Sequence, residues 1–347
     1  MGASADKFPG YQKFSEMSAR QKFKKFWGAI SAGDFKQAKL SAKPGLTTME
    51  MFEAALKGDL KFLYVMGENP ALSNADLSRQ REALKRLEFL AVQDLFLTET
   101  AKYADVVLPA SSFAEEEGTF TNTDRLVQKT NKAIEPLFQS KPDWEILVLL
   151  GKKLGFNFDY ESPSEIFEEI ALAVPQYAGM DYKYIEEKNG VRWPCPEKGH
   201  PGTKYLFSGG FKNKITLKPV DFLPPAELPD ENYPFILTTG RSRWHWHTGE
   251  MTRRTDLNKV HPKEAALINP ADAKKLRLKN GEKIKIASRR GEVSAAVKIS
   301  KDVSAGEIFM TFHFKETAVN LLTGSALDAE SKIPEFKFCA VRISRAK

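Results

Sequence analysis

The sequence predicts an α/β protein in which a doubly wound, parallel-sheet domain is followed by a small β-barrel domain. Three observations predict it. Between residues 48 and 109, short apolar runs alternate with helical patterns at the spacing of strand–helix–strand units. Beyond residue 234 the apolar runs are short, alternating in polarity and joined by turns. The intervening segment is crowded with Pro and Gly. A chain of 347 residues holds about two domains of ordinary size. The expected partition is an α/β domain over 1–160, a connecting and covering segment over 161–229, and a barrel over 230–347.

The first forty residues read as an irregular lead-in followed by a short helix. An amphipathic helix is expected over Thr48–Leu56, with Gly58 as its C-cap. Phe62-Leu63-Tyr64-Val65-Met66 is an apolar strand ending at Gly67-Glu68-Asn69-Pro70. A polar helix follows near 76–87, then a strand Phe89–Val92 that ends at Gln93-Asp94. Residues 98–103 suit a short helix, and Val106-Val107-Leu108 a third buried strand. Successive crossovers of this kind are right-handed and give a parallel sheet, whose ligands lie beyond the carboxyl ends of the strands. Gly67–Pro70 and Gln93–Asp94 are two such ends. Asp143 opens a helix whose apolar positions keep the helical period, and Ser140-Lys141-Pro142-Asp143 resembles a capping box. Residues 162–229 are expected to be loop-rich. In the last third, Phe235–Thr239 is a strand, Asn269-Pro270 starts a short helix, and Lys283–Ala287, Val293–Ile299 and Ile308–Phe312 are strands suited to a small closed barrel.

Composition narrows the function without choosing it. The chain is 42% hydrophobic and 28% charged, with a net charge of +7. Its lysines are dispersed among glutamates, as in Glu186-Glu187-Lys188, which suits solvated faces and a local anion site better than nucleic acid. No apolar run reaches membrane-span length, and Met1–Phe14 lacks the apolar core of a secretory signal, so a cytoplasmic location is expected. Two distant cysteines, Cys195 and Cys339, support neither a disulfide framework nor a C-x-x-C metal site.

The chemistry concentrates in Thr239-Gly240-Arg241-Ser242-Arg243-Trp244-His245-Trp246-His247-Thr248, directly after a strand. Gly admits close backbone approach, Arg offers forked donors to phosphate, and hydroxyls complete a shell, so an anionic aromatic ligand fits. The His pair could also ligate a metal, although no third ligand accompanies it nearby. A surface loop with stacked aromatics is the plain alternative.

That run, continued by Gly249-Glu250-Met251-Thr252-Arg253-Arg254, resembles the C-terminal signature of formate dehydrogenases, members of the bis-molybdopterin guanine dinucleotide oxidoreductases. The likeness extends along almost the whole chain. It includes Phe8–Gln12, Met66–Ala71, Val92–Thr100, Ala104–Pro109, Glu117–Thr123, Asn320–Thr323 and Phe336–Val341. The resemblance implies part of a molybdopterin oxidoreductase core and a double-psi-like, dinucleotide-binding barrel. Residue by residue, it implies cofactor contacts at Asn69, Gln93, Asp94, Asp143, the decapeptide Thr239–Thr248, Phe312, Asn320 and Lys337. His245, His247 and Arg243 are assigned to cofactor binding rather than proton transfer, and no catalytic residue or metal ligand is assigned. For Asn69, Gln93 and Asp94 the plain alternative is a strand-ending turn, for Asp143 a first-turn acid on a helix, and for Phe312 barrel core.

Two departures from the family pattern stand out. Glu116 replaces a frequent Lys, and Asp124-Arg125-Leu126 stands where Glu-Arg-Arg is usual. The family's cysteine-bound [4Fe–4S] module, and the region giving a Cys or selenocysteine to molybdenum or tungsten, do not precede Met1. The resemblance therefore implies the C-terminal half of a formate dehydrogenase catalytic subunit, either a split gene product or a fragment. Its partners would be the N-terminal half, carrying metal ligand and cluster, and electron-transfer iron–sulfur subunits. The reaction would be formate oxidation or CO2 reduction, and the chain alone would be inactive. The alternatives are a non-catalytic scaffold like the cofactor-free relatives in respiratory complex I, or another oxyanion reductase of the superfamily.

Overall fold

The computed structural model describes residues 2–30, 40–211 and 214–346. The chain forms two compact units, each built from two stretches of sequence: Met1–Thr47 with Leu108–Lys218, and Thr48–Val107 with Pro219–Lys347. The units are thus discontinuous in sequence.

The second unit contains the barrel and most of the strand–helix repeat. Its helix Thr48–Lys57 buries Met49, Phe52 and Ala55, a stripe at helical spacing, and stops at Gly58 with φ +79°. Strands Phe62–Met66 and Phe89–Asp94 pair in parallel, with Met66 opposite Gln93, and Val106–Pro109 is the third strand of the sheet. The crossover between the first two holds Pro70–Ser73 and Leu77–Arg86, both helical. Val65, Leu90, Val92, Ala83 and Leu84 close one core with Phe52. The expected short helix before the third strand is a single 3-10 turn, Ala101–Tyr103.

Six strands make a closed barrel in the hydrogen-bonded order Ala265–Ile268, Glu292–Ile299, Lys283–Ala287, Cys339–Arg345, Phe235–Gly240, Glu307–Thr311, the last pairing back to the first. Two of the six pairings are parallel, Ala265–Ile268 with Glu292–Ile299 and Phe235–Gly240 with Glu307–Thr311. Closure removes the open edges of so small a sheet. Alternate residues point inward, so Leu237, Ile268, Ile284, Ile286, Ile308 and Met310 are fully buried. Helix Pro270–Lys275 is capped by Asn269, whose side chain accepts from Ala271 N–H at 2.9 Å. The chain enters the barrel past Glu227, which pairs with Arg290 and accepts from Ala340 N–H at 2.9 Å.

Within this unit the strand–helix part is tied to the barrel. Leu72 and Leu77 pack on Ala318. Asn320 donates to the Ser73 carbonyl at 2.9 Å, and Asp76 N–H donates to the Thr323 hydroxyl at 3.3 Å.

The first unit gathers helices Met17–Ile30, Asp143–Lys153, Pro163–Ala173 and Tyr182–Glu187 with an antiparallel sheet of Gly118–Thr121, Leu126–Thr130 and Val191–Arg192. Phe8, Phe23, Phe167, Tyr177 and Ile185 share its core. Between the loops of residues 162–229, Ser162 caps one helix through Glu165 N–H and Asp181 caps another through Tyr184 N–H. One expectation is corrected here. The capping box at Asp143 is absent: Pro142 is the N-cap residue, and the Ser140 hydroxyl turns back to the Leu137 carbonyl at 2.6 Å.

Candidate cofactor-binding site

The strand ends and the decapeptide meet in the second unit. Chain leaving Phe62–Met66 passes Gly67 with φ +63°, a backbone state that Gly adopts freely, and turns into the short helix at Pro70. Asn69, at its N-cap, is buried and fully engaged. Its Oδ1 accepts from Thr100 N–H at 3.0 Å and from the Thr100 hydroxyl at 2.8 Å. Its Nδ2 donates to Glu99 at 3.0 Å and to Glu250. Gln93 is wholly buried and accepts from the Tyr64 hydroxyl. Asp94 accepts from Phe96 N–H at 3.2 Å, an Asx turn that closes the second strand end.

Between these ends and the decapeptide lies a cavity of about 500 Å³. Its walls are Gly67, Glu68, Asn69 and Ser73 from one strand end, Asp94, Leu95 and Phe96 from the other, and Trp246, His247, Thr248, Glu250 and Met251 from the barrel side. Three carboxylates, Glu68, Asp94 and Glu250, make this an acceptor-rich wall. Such a wall suits amine, ring N–H and hydroxyl groups rather than phosphate.

The decapeptide itself divides. Thr239 is buried and donates to the Phe336 carbonyl at 2.8 Å. Gly240 runs against Phe309, whose ring would lie 2.5 Å from any added Cβ, so a side chain here would have to displace that ring. Arg241 is exposed, stacked over Trp246 at 5.3 Å and Phe312 at 5.9 Å. Lys337 donates to the Thr239 carbonyl, and burial followed by the Arg241 charge lowers its pKa. Arg241, Phe312 and Lys337 therefore form a cationic, aromatic face at the barrel mouth. Arg243 stacks on Trp244 at 4.6 Å. Neither Arg241 nor Arg243 lines the acid-walled cavity.

His245 is buried, with Nε2 2.7 Å from the His261 carbonyl and Nδ1 3.2 Å from the Thr252 hydroxyl. Both ring nitrogens are occupied by the protein, and the ring packs edge-on against Phe314. His247 is exposed at the cavity, in a left-handed conformation with φ 45°, and burial followed by Arg241 lowers its pKa. Thr248 donates to Glu250. Asn320 is 1% exposed, and its Oδ1 has no hydrogen-bond partner within the described residues.

Asp143 begins its helix in the first unit. Beside it Glu116 accepts from the Asp143 backbone, yet burial and then the Asp143 charge raise the Glu116 pKa. Arg125 donates to the carbonyls of Trp193, Thr203 and Lys204, so it ties loops of that unit together.

Sequence reasoning missed two buried groups. His313 is fully buried and bonded to the decapeptide at Ser242 and His247. Glu264 is 7% exposed, accepts from the Thr311 hydroxyl, and is pushed up by burial to about 7. An ionisable residue flanking an apolar strand was the available signal in both cases.

Comparison with known proteins accords with this geometry. A family model described as Molybdopterin oxidoreductase matches residues 9–153, and one described as Molydopterin dinucleotide binding domain matches residues 235–340. The chain belongs to the molybdopterin oxidoreductase family. The F420-dependent formate dehydrogenase subunit alpha of Methanocaldococcus jannaschii is 46% identical over 99% of this chain and 50% of its own length. The assimilatory nitrate reductase catalytic subunit of Bacillus subtilis is 37% identical over 99% of this chain and 49% of its length. For formate dehydrogenase H of Escherichia coli the values are 34%, 99% and 48%. The chain thus spans about half the length of these relatives. Among solved structures, acetylene hydratase from Pelobacter acetylenicus superposes with a TM-score of 0.68 over 88% of this chain and 47% of that one, at 17% identity, a likeness of fold. Among the described residues no helix is long and apolar enough to cross a membrane.

Proposed function

We propose that this chain is the dinucleotide-holding half of a molybdopterin-dependent formate dehydrogenase catalytic subunit. The observation that carries this reading is the convergence of both strand ends and the decapeptide on one cavity with an acceptor-rich wall, beside a cationic, aromatic face. A molybdopterin guanine dinucleotide combines the two chemistries these surfaces suit. Guanine, ribose and pterin present N–H and O–H donors, for which Glu68, Asp94 and Glu250 are acceptors. Its pyrophosphate is an anion, for which Arg241 and Lys337 are the cations at hand. The partnerless Oδ1 of Asn320 is a further acceptor suited to a donor of this kind.

When bound, the cofactor's metal centre supplies the two-electron chemistry of formate oxidation. This chain's residues bind and orient. Asn69 locks the first strand end to Glu250, Asp94 shapes the second, and Gly240 lets the strand end lie against Phe309. The metal's own protein ligand and the iron–sulfur relay would come from the complementary half and from partner subunits. Molybdenum or tungsten, and a second copy of the dinucleotide, are part of the same proposal.

The formate reading rests on the 46% identity to an F420-dependent formate dehydrogenase alpha subunit. The 37% identity to a nitrate reductase supports a second reading, reduction of an oxyanion. The test is to purify the chain together with its complementary half and assay dye-linked formate oxidation and nitrate reduction on one preparation. Released pterin and guanine nucleotide are measured in parallel. Formate turnover with guanine dinucleotide present is expected, and nitrate turnover alone would transfer the proposal to the second reading. Absence of any pterin would remove it.

A further inference from the structure

His313 follows the barrel strand Glu307–Thr311 and is 0% exposed. Its ring meets the decapeptide at two separate points. Nε2 lies 2.7 Å from the Ser242 amide and can only accept, because that partner is an N–H. Nδ1 faces the His247 carbonyl and can only donate. Its main chain also runs close behind the loop: a Cβ added at Gly249, where φ is +79°, would lie 3.0 Å from the His313 carbonyl oxygen. The loop is therefore folded around this one residue.

We propose that His313 is a positioning residue that sets the shape of the decapeptide as a two-ended clamp, donating from Nδ1 and accepting at Nε2. The inference rests on the reading of this loop as part of the cofactor site and goes further, because it assigns a fully buried residue that lies behind the loop and is not itself among the cavity's lining. Three steps support it. The bond from Nδ1 holds the carbonyl of His247, a residue whose left-handed backbone needs support from its surroundings. The bond at Nε2 fixes the start of the loop, next to Arg241. A ring with one donor and one acceptor does both only while neutral, since a second proton would point at the Ser242 N–H.

The surroundings keep the ring neutral. Burial is the first cause, and the nearby His245, His261 and Arg241 act in the same direction against the bond to His247, so the pKa is pushed down to about 4. His245 and Phe314 pack at 5.5 and 6.2 Å from the ring, and Phe312 at 5.4 Å. The folded pKa lies below the ordinary value of 6.5. The clamp is thus intact above pH 6.5, and its contribution is lost as pH falls toward 4.

The test compares His313→Gln, which keeps one donor and one acceptor without titrating, with His313→Phe, which keeps neither, in the assembled complex. The readout is pterin retained per chain, measured by fluorescence after oxidative release, between pH 4.5 and 8. His313→Phe should lower retention at pH 7 by about tenfold, the effect of losing one hydrogen bond or more. His313→Gln should stay within about threefold of wild type at pH 7 and show a shallower loss on acidification. Wild-type retention in His313→Phe, or identical acid limbs for wild type and His313→Gln, would overturn the proposal. Imidazole nitrogen NMR on the 15N-histidine-labelled full chain, which has five histidines, decides the point independently of cofactor. A ring protonated at Nδ1 and neutral down to pH 5 is expected. An Nε2-protonated ring, or titration near 6.5, would refute the clamp even if pterin is bound, whereas absence of pterin from wild type would refute only the cofactor reading.

Discussion

The acid-walled cavity and the cationic face lie on the same decapeptide and are chemical opposites. Glu68, Asp94 and Glu250 line the first, with Asn69 tied into it by four hydrogen bonds. Arg241 and Lys337 frame the second across the Phe312 ring. A single loop can serve both because His245 is anchored in the interior while its neighbours Trp246 and His247 are exposed. A run rich in His and Arg is thus not a uniformly phosphate-binding surface. Its first residues carry the cationic face, and its last residues line the acid-walled cavity.

The sharpest break in this comparison is Asn69→Ala. It removes four hydrogen bonds at a buried site and leaves the Thr100 N–H without its acceptor, and unfolding stability should fall by about 3 kcal/mol. Urea unfolding checks this. A variant of unchanged stability that has lost pterin would show Asn69 to serve the ligand rather than the cavity wall.

In the barrel, Glu264, bonded to the Thr311 hydroxyl, offers a pH test. Its folded pKa of about 7 lies above the ordinary 4.5. Its contribution is therefore complete below about pH 4.5 and is lost as pH rises through 7, on the order of 2–3 kcal/mol. His313 has the opposite sign, gaining between pH 4 and 6.5. Glu264→Gln should remove the decline in stability expected of wild type between pH 5 and 8. An unchanged stability–pH curve would show Glu264 to be ionised in the folded protein.

Arg241→Ala acts on the cationic face alone. Losing a charge-assisted bond to the pyrophosphate should weaken cofactor retention by about tenfold or more, with unfolding stability nearly unchanged. Equal pterin content in wild type and variant would assign phosphate binding to Lys337 or to backbone amides. The smallest effect is expected for Arg243→Ala. Its guanidinium is exposed and stacked on Trp244, an arrangement worth about 0.5–1 kcal/mol, so thermal unfolding should shift by only a few degrees. A tenfold loss of pterin in this variant would enlarge the cationic face to include Arg243.

Much was legible in the amino-acid order because it depends on local periodicity and backbone chemistry. The helix ending at Gly58, the two strand ends at Met66 and Asp94, the Asn269 cap and the closed barrel all follow from spacing, caps and alternation. So does the candidate loop, since ten residues so rich in Arg, His and Trp behind a strand are visible without coordinates. Tertiary structure alone decided what each of those residues does. His245 and His247 are two positions apart, yet one has both nitrogens occupied inside the protein and the other faces a cavity. His313 lies more than sixty residues beyond the loop it holds, and no local pattern connects them. Hydrogen bonds and burial depend on distance in space, and along the chain that distance becomes readable only after the barrel has closed.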